Sequence, residues 1–288
     1  MTPWEQATTH ILTHTLHYGG GAFEGIRFYK TAEGPAIFRL KEHVERLLYS
    51  AKALQMAVPY TQTQLIDAVK LLIKDNELES GYIRPLIYFG YGKMGLDPRK
   101  CEVNVCIAAW PWGSYLGDEP VKTKISKFIR IHPRSTVADA KLCGHYVNSI
   151  MASLDIHGKG YDEAILLDFE GNIAEGPGEN IFIVKNGKLI TPSLGNILAG
   201  ITRSSIIEIA SSLNIDTIEK KITPEDLYTA EEAFFTGTAA EVTPIASIDD
   251  NTIGQGDTGK ITGEIKEIFT KAVHGELAEY GKWLTIIS

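Results

Sequence analysis

Two short segments of this 288-residue chain combine reactive side chains with small residues. Residues 138–146 contain Lys141 and Tyr146, and residues 175–180 begin with Glu175 and continue through two glycines and a proline. A lysine amine can bond covalently to an aldehyde, and a carboxylate can keep a heterocyclic nitrogen protonated. Pyridoxal phosphate chemistry needs both groups, together with a site for a phosphate dianion.

Neither segment decides this chemistry alone. By itself Lys141 would be interpreted as a solvated surface charge, because the chain has 28 Lys and Arg residues and nearly all must lie at the surface. Glu175 lies between two apolar runs, residues 164–168 and 181–184, that predict strands. It fits a flat ligand passing close to the neighbouring glycines as well as it fits the water-facing side of a hairpin.

Two further segments are suited to binding an anion. Residues 200–202 open a predicted amphipathic helix, and residues 237–240 follow a predicted strand, residues 233–236. Both segments offer backbone N–H groups and a threonine hydroxyl, which together can surround a phosphate. Helix capping by threonine is the common alternative.

Taken together, these segments resemble the fold type IV class of pyridoxal phosphate enzymes and, within it, the branched-chain amino acid aminotransferases. The resemblance covers nearly the whole chain. Its landmarks, in chain order, are residues 17–27, 43–47, 82–86, 112–117, 138–146, 175–180, 198–203 and 236–241. Such an ordered series is more specific than any one of its members.

The resemblance implies an α+β fold with two domains. We place a small N-terminal α/β domain at residues 1–110, an interdomain linker at 111–120, and a larger pseudo-barrel α/β domain that binds pyridoxal phosphate at 121–288. Relatives complete each pocket with a loop from a second subunit, so a homodimer or a higher homo-oligomer is also implied.

The resemblance further implies the cofactor contacts. Lys141 would bind pyridoxal phosphate covalently and move the proton during catalysis, while Glu175 would keep the pyridine nitrogen protonated. Tyr146 would contact the phenolic oxygen, although packing on its own helix is the alternative for that side chain. The other implied cofactor contacts, chiefly to the phosphate, are Arg46, Leu198, Ile201, Thr202, Gly237 and Thr238.

The implied reaction is transamination between L-leucine, L-isoleucine or L-valine and 2-oxoglutarate, which gives branched-chain 2-oxo acids and L-glutamate. The pocket must therefore accept both an apolar side chain and a γ-carboxylate. The implied substrate contacts are Tyr82, Thr238 and Ala239 for the α-carboxylate, Arg84, Tyr115 and a partner subunit's Tyr18 for the γ-carboxylate, and Phe23 and a partner subunit's Leu96 for the apolar part.

Rival functions remain open at this point. A D-amino acid aminotransferase of the same fold typically has basic residues on the loop that here runs over residues 93–96; Met94 and Leu96 argue against it, whereas Lys93 does not. An amine transaminase or a lyase would use the same cofactor. A metal protein is the rival from another class, because His10, His14 and His17 would share one face if that stretch were helical.

Composition limits the partners. The formal net charge is −8 and there is no basic arm, so nucleic acid is not an expected partner. No apolar run is long enough to span a membrane, and the first residues lack the pattern of a signal peptide, so we expect a cytoplasmic enzyme of small molecules. The 3 cysteines lack metal-ligand spacing, and we predict no metal site.

The elements that must position these residues can be predicted from periodicity and turn chemistry. Thr61 and Gln64 form a predicted capping box, and Asn186 with Gly187 forms a predicted hairpin turn. The predicted helices are residues 40–57, 61–73, 202–213 and 261–274, and the predicted strands of the first half are residues 82–89, 103–110 and 123–132.

Overall fold

The structure is a computed structural model that describes residues 1–113, 116–117 and 119–287. Along these residues the strands are β1 (Gly21–Phe23), β2 (Ile26–Thr31), β3 (Gly34–Phe38), β4 (Gly81–Phe89), β5 (Val103–Trp110), β6 (Val121–Ile125), β7 (Glu163–Leu167), β8 (Ile173–Glu175), β9 (Asn180–Lys185), β10 (Lys188–Thr191), β11 (Thr217–Glu219), β12 (Glu232–Gly237), β13 (Glu241–Ile248), β14 (Asn251–Thr252) and β15 (Leu284–Ile286). The α-helices are α1 (His14–Tyr18), α2 (Leu40–Ala53), α3 (Gln62–Asp75), α4 (Tyr146–Ile156), α5 (Ile201–Ser212), α6 (Pro224–Tyr228) and α7 (Lys260–Val273). Short 3₁₀ helices cover Trp4–Gln6, Cys143–His145 and Ala278–Trp283.

The chain divides into two compact units. The first comprises Met1–Trp112, Ala140–His145 and Val273–Ser288, and the second comprises Gly113–Asp139 and Tyr146–Ala272. The first unit therefore includes two segments that the sequence assigned to the large domain. They join it because β15 pairs with β3 and because Leu142 forms an isolated bridge with Ala22 of β1.

The first unit is built on an antiparallel sheet in the order β1-β4-β2-β3-β15, with β5 on the other edge of β4. Strand β4 pairs with β5 along its whole length, and its opposite edge pairs first with β2 and then with β1. The chain turns between β1 and β2 at Glu24, whose N–H donates to the Pro85 carbonyl at 2.9 Å. The break in the chain's strand structure between β1 and β2 therefore places the polar residue Glu24 inside the sheet.

Helices α2 and α3 cover one side of this sheet. The buried face of α2 has a heptad-like series of apolar residues, Leu40, Val44, Leu47 and Ala51, but it also carries the polar residues His43 and Ser50. Helix α2 ends at Ala53, before the predicted residue 57, because Gln55 adopts a left-handed conformation (φ 56°) that stops the helix. Helix α3 begins with the predicted capping box between Thr61 and Gln64, which is confirmed.

The second unit is built on a sheet in the order β11-β10-β9-β12-β13-β6-β7-β8, with β14 beside β13. Strands β13, β6 and β7 are parallel to one another, as are β10 and β11, and the other pairs are antiparallel. The core of this unit consists mainly of buried isoleucines, including Ile165, Ile181, Ile183 and Ile245, packed with Phe235. The predicted hairpin at Asn186 and Gly187 joins β9 to β10 and is confirmed.

One predicted strand differs from the structure. Residues 123–132 were expected to be a single strand, but β6 ends at Ile125. Beyond it the side chains of Ser126 and Asp155 accept the N–H groups of Phe128 and Lys127, at 3.1 and 3.0 Å. Side-chain acceptors thus replace the ladder of a neighbouring strand.

None of the helices in the described parts of the chain is both long enough and apolar enough to cross a membrane.

Candidate active site

Lys141 lies in the first unit, two residues before the start of the 3₁₀ helix Cys143–His145. Its backbone is fixed on both sides: its N–H donates to the Ser50 hydroxyl at 2.9 Å, and its carbonyl accepts the Phe23 N–H at 3.2 Å. Ser50 is on α2 and Phe23 ends β1. Two regular elements therefore hold the lysine backbone, while the residue itself is half-buried.

The ring of Phe23, a predicted substrate residue, lies next to the Lys141 side chain and also contacts Arg84. The Lys141 Nζ is 5.1 Å from the ring centre of Phe23, and the Arg84 Cζ is 4.8 Å from the same ring centre. Arg84 also donates from Nη2 to the Tyr82 hydroxyl at 3.2 Å. The structure thus places Lys141 and Arg84 at the same aromatic ring, with Tyr82 hydrogen-bonded to Arg84.

The Arg84 guanidinium has an unsatisfied donor. Its Nε is buried and has no hydrogen-bond partner among the described residues. A buried N–H that lacks an acceptor costs about 1–3 kcal/mol. An arginine in this condition, close to an amine and an aromatic ring, suits the binding of a carboxylate beside an apolar group.

Arg46, predicted to hold a phosphate, is anchored by a buried carboxylate. Its Nε and Nη2 donate to the two oxygens of Glu24 at 2.6 and 3.0 Å, and His43 Nδ1 lies 2.7 Å from Glu24 Oε2. The side chains of Glu24 and His43 are fully buried. The His43 Nε2 is also buried and has no hydrogen-bond partner in the described part of the chain.

The Glu24 group is charged and His43 is neutral at neutral pH. Burial alone would raise the pKa of the Glu24 carboxyl, but the charge of Arg46 and the interactions with His43 hold that pKa well below its usual range. Burial lowers the pKa of His43, against the opposing effect of Glu24. The neutral imidazole then donates its Nδ1 proton to Glu24.

Glu175 ends β8 in the second unit and is buried among donors. Its Oε1 accepts a hydrogen bond from Arg130 Nε, and its Oε2 accepts from the Asn180 side chain at 3.2 Å and from the Leu198 N–H at 3.1 Å. An ionised carboxylate has about four acceptor positions, so three protein donors leave one for a further donor such as a pyridine N–H. The Leu198 N–H is thus one of the donors to Glu175, and the predicted contact of Leu198 with the cofactor stays a prediction.

The start of α5 has the properties expected of a phosphate site. Gly200 is the N-cap residue, and it has no side chain that could cap the first turn of this helix. The N–H groups of its first turn, including those of Ile201 and Thr202, can therefore face an anion. Thr202 is buried in that first turn. In the same unit, the Thr236 hydroxyl at the end of β12 is buried without a partner among the described residues.

The predicted residues that follow β12 form a tight connection. Gly237 ends the strand, and Thr238 and Ala239 lie in the turn to β13 as half-buried residues. Tyr146 is the first residue of α4 and is also half-buried. The predicted cofactor and substrate contacts of Gly237, Thr238, Ala239 and Tyr146 stay predictions.

The residues predicted to act from a partner subunit are exposed. Tyr18 ends α1 with 43% exposure, and Leu96 is 87% exposed. His14 connects the two regions, because its ring is 4.6 Å from that of Tyr18 and its Nε2 is 2.8 Å from the Gly95 carbonyl. Tyr115 lies outside the described residues.

The three histidines of the rival metal hypothesis have separate partners. His14 is on α1 and contacts Gly95, whereas His10 Nδ1 accepts the Leu12 N–H and His17 Nε2 lies 2.9 Å from the Ile11 carbonyl. Within the part of the chain that the structure describes, no group of three or more His, Cys, Asp and Glu side chains could hold a metal ion.

The segment that contains most of these residues matches a known protein family. The family model described as Amino-transferase class IV matches residues 21–248, which is most of the chain. The chain belongs to this family. The class IV aminotransferase match includes Lys141, Glu175 and every other residue named from the resemblance except Tyr18, which precedes it.

Individual relatives agree with this membership. The chain is 44% identical to the branched-chain-amino-acid aminotransferase of Pseudomonas aeruginosa over 291 residues, covering 100% of this chain and 95% of the relative. It is 41% identical to the branched-chain-amino-acid aminotransferase of Escherichia coli K12 over 290 residues, covering 99% and 94%.

Solved class IV aminotransferases share the fold. The crystal structure of a T.th. branched-chain amino acid aminotransferase complexed with N-(5′-phosphopyridoxyl)-L-glutamate superposes with a TM-score of 0.97 at 43% identity, covering 100% of this chain and 96% of the other. The branched-chain aminotransferase of Thermoproteus uzoniensis with norvaline gives 0.95 at 45% identity, covering 99% and 96%. The predicted family and the predicted two-domain α+β fold of type IV are confirmed.

Several residues of this class IV aminotransferase that contact predicted site residues were not predicted. They are Glu24 and His43 beside Arg46, Ser50 beside Lys141, and Arg130 and Asn180 beside Glu175. Two of them had a signal in the sequence: His43 and Ser50 are polar residues at apolar positions of a helical pattern. Arg130 had none, since it follows β6 in an irregular segment.

Proposed function

We propose that this chain transfers the amino group of branched-chain L-amino acids to 2-oxoglutarate with pyridoxal phosphate as its cofactor. It is an aminotransferase of class IV, and its relatives named above act on branched-chain amino acids. Pyridoxal phosphate follows from the family and from neighbours solved with pyridoxamine 5′-phosphate or with a phosphopyridoxyl adduct. The identity of the second substrate, 2-oxoglutarate, is our proposal.

The observation that best supports this function is the group around Lys141. The amine of Lys141 and the guanidinium of Arg84 each lie about 5 Å from the centre of the same aromatic ring, and the buried Arg84 Nε has no partner among the described residues. An amino acid brings an α-amino group, a carboxylate and a side chain, and each has a chemical counterpart here. The arginine also offers a counterion for the γ-carboxylate of glutamate.

The proposed cofactor roles follow the chemistry of each residue. When bound, pyridoxal phosphate accepts the amino group and stabilises the negative charge that develops at the substrate α-carbon. Lys141 would hold the cofactor through its aldehyde carbon, and its amine, once free, would take the proton from the substrate α-carbon. Glu175 holds the pyridine N–H, and Tyr146 donates to the phenolic oxygen.

The phosphate contacts proposed for this chain combine one charge with backbone and hydroxyl donors. Arg46 supplies the charge, and the first turn of α5 supplies the N–H groups of Ile201 and Thr202. The Thr202 hydroxyl and residues Gly237 and Thr238 complete the set. The start of α5 supports this assignment because its N-cap residue, Gly200, has no side chain to cap it, which leaves backbone donors for an anion.

The proposed substrate contacts separate the carboxylates from the apolar side chain. Tyr82, Thr238 and the Ala239 N–H bind the α-carboxylate, and Phe23 contacts the apolar side chain. Arg84 binds the γ-carboxylate of glutamate. Tyr115 and, from a second subunit, Tyr18 and Leu96 complete the pocket; the high exposure of Tyr18 and Leu96 is compatible with that role.

We also propose that the enzyme is a homodimer or a higher homo-oligomer and works in the cytoplasm. Helix α4 supports self-association, because its Val147, Ile150, Met151 and Leu154 are spaced three and four residues apart and are 41–62% exposed. A continuous apolar stripe on one helix is unusual on a monomer surface. Cytoplasmic location remains the expectation stated from the sequence.

The near-ultraviolet and visible spectrum of the protein purified with pyridoxal phosphate tests the function. We expect L-leucine to convert the bound cofactor to the pyridoxamine form, 2-oxoglutarate to restore it, and D-leucine to do neither. Lys141→Ala should lose the spectrum of the covalently bound cofactor, whereas Lys260→Ala, at a lysine whose side chain is 86% exposed, should keep it. Conversion by D-leucine alone would replace the proposal with the D-amino acid function, and a protein that binds no pyridoxal phosphate would overturn it.

A further inference from the structure

Glu24 occupies a position that the proposed chemistry does not use. It lies between β1 and β2, its carboxylate has no solvent exposure, and it makes no proposed contact with cofactor or substrate. Its ligands are the Arg46 guanidinium, the His43 imidazole and the N–H of Gly25, which donates at 3.2 Å. A fully buried carboxylate with this many donors is held in one orientation.

The contact with Arg46 is a two-pronged one. Nε and Nη2 of the guanidinium donate to the two different oxygens of Glu24, at 2.6 and 3.0 Å. Because the guanidinium is planar, a fork on this edge fixes the plane and therefore the direction of the opposite edge. Arg46 and His43 lie three residues apart on α2, so one helical turn carries both of the side chains that contact Glu24.

His43 completes the arrangement. A neutral imidazole that donates from Nδ1 cannot repel the guanidinium, and it adds a directional bond to the oxygen, Oε2, that Arg46 also contacts. The His43 Nε2 finds no partner among the described residues, so this ring is not held by a second bond there. The Glu24 contact is therefore the polar interaction that orients it.

We propose that Glu24, itself held by His43, is a positioning residue that orients the Arg46 guanidinium for the cofactor phosphate. The inference rests on the proposed function, because it takes Arg46 as a phosphate ligand. It adds that the buried Glu24 carboxylate favours phosphate binding even though it is an anion near an anion site. Orientation of the donors outweighs the partial neutralisation of the arginine charge.

Two other roles for Glu24 predict different results. If Glu24 merely neutralised Arg46, its removal would strengthen phosphate binding, because the full arginine charge would become available. If Glu24 only stabilised the fold, its removal would affect ligands with and without a phosphate alike. The role of Glu24 is therefore identified by whether its removal weakens or strengthens binding, and by whether the change occurs only for a ligand with a phosphate.

The experiment compares pyridoxal phosphate with pyridoxal, which lacks the phosphate. The full-length apoprotein of the wild type and of Glu24→Gln is titrated with each ligand by absorbance. We expect Glu24→Gln to weaken pyridoxal phosphate binding by roughly tenfold or more, because a charge-assisted fork is lost, and to change pyridoxal binding by less than about threefold. Unchanged or tighter pyridoxal phosphate binding, or equal loss for both ligands, would overturn the inference.

Substitutions of His43 keep the test decisive if Glu24→Gln does not fold. Asparagine can place an amide donor near the position of Nδ1, whereas leucine cannot donate. His43→Leu should weaken pyridoxal phosphate relative to pyridoxal by roughly two- to tenfold, and His43→Asn should recover most of that ratio. If His43→Leu and His43→Asn have the same ratio as the wild type, the inference fails.

The outcomes also separate this inference from the proposed function. A wild-type protein that does not bind pyridoxal phosphate removes both. In a second outcome, the wild type binds pyridoxal phosphate and transaminates L-leucine while Glu24→Gln keeps the wild-type ratio of pyridoxal phosphate affinity to pyridoxal affinity. That result removes only the role of Glu24. Arg46→Ala gives the reference for complete loss of the guanidinium, and adding Glu24→Gln to it should not change the ratio further.

Discussion

The backbone N–H of Lys141 donates to the Ser50 hydroxyl at 2.9 Å, and that hydroxyl in turn donates to the Arg46 carbonyl at 2.8 Å. Ser50 lies one helical turn beyond Arg46 on α2 and is fully buried. A single helix therefore orients the proposed phosphate ligand through its side chain and the proposed catalytic lysine through its backbone. The two positions cannot shift independently while α2 is intact.

Ser50→Ala should weaken this connection. It leaves the Lys141 N–H without its acceptor, which costs about 1–3 kcal/mol of unfolding free energy if the group stays buried. We also expect slower covalent binding of pyridoxal phosphate, because the lysine backbone loses one of its two supports. Chemical denaturation gives the first quantity, and the time course of the absorption spectrum after adding cofactor gives the second.

Thr270→Ala is the matched control for this prediction. Thr270 is exposed on α7, and its hydroxyl also donates to the carbonyl four residues earlier, at 2.8 Å. The control should lose little stability and keep the wild-type rate of cofactor binding. Equal rates for both variants would show that the Ser50 contact supports the fold without orienting the lysine.

Glu175→Gln should lower kcat for L-leucine by at least about tenfold. A carboxylate that stabilises a pyridine N–H through a charged hydrogen bond contributes roughly 1.5–3 kcal/mol, and an amide has no charge to do so. Steady-state kinetics measure the loss. Glu170→Gln, at a half-exposed glutamate paired with Lys221, should have wild-type kcat, and a fully active Glu175→Gln enzyme would remove the proposed role.

Local features of this fold were predictable because they depend on a few neighbouring residues. The capping box needs only Thr61 and Gln64, and the hairpin needs only residues that accept positive φ, as Asn186 (52°) and Gly187 (68°) do. The resemblance supplied Lys141, which the structure places beside the predicted substrate residue Phe23. Each of these features is encoded in a short stretch of sequence.

The supporting residues were not predictable because their partners are distant in sequence. Glu24 meets Arg46 across 22 positions, and Arg130 meets Glu175 across 45. Strand β6 ends early for the same reason, since Asp155 takes the Lys127 N–H across 28 positions. Hydrophobic periodicity carries no information about pairs that are distant in sequence. The polar groups that anchor a site can therefore be identified only in the folded structure.

Glu163 should make stability depend on pH in the neutral range. Glu163 is 4% exposed, and its carboxylate accepts the Ala164 N–H at 2.8 Å. Burial raises the pKa of this carboxyl group from 4.5 to about 7. The folded state therefore binds this proton more tightly than the unfolded state. Its contribution to the free energy of unfolding is complete below pH 4.5 and falls, by about 3 kcal/mol, as the pH rises through 7.

Glu163→Gln removes that titration while keeping the shape of the side chain. The unfolding free energy of the variant minus that of the wild type should rise with pH over the same window and then level off. Urea denaturation at a series of pH values measures the difference, which cancels the titration of the groups that do not interact with Glu163. Glu264→Gln, on the exposed side of α7, should give a flat difference, and a flat result for Glu163→Gln would contradict the raised pKa.

Leu154→Glu should dissociate the proposed oligomer. The residue is 62% exposed in the apolar stripe of α4, and a buried, unpaired carboxylate in a subunit interface is strongly unfavourable. Light scattering after gel filtration should show a smaller mass for the variant. Leu71→Glu is the control, since Leu71 on α3 is a leucine of similar exposure (50%). An unchanged mass for Leu154→Glu would exclude the apolar stripe of α4 as the subunit interface.

Gly25→Ala should disturb substrate binding and spare the cofactor. A Cβ at position 25 would lie 1.9 Å from the Tyr82 hydroxyl oxygen, which accepts a hydrogen bond from Arg84, so the tyrosine must move. We expect kcat/KM for L-leucine to fall by about tenfold or more, with a higher KM and little change in pyridoxal phosphate affinity. Gly281→Ala, where a Cβ meets nothing within 4 Å, should match the wild type. If Gly25→Ala keeps the wild-type KM, then Tyr82 does not bind the substrate carboxylate, because the added Cβ displaces the Tyr82 hydroxyl and a displaced hydroxyl would bind that carboxylate less well.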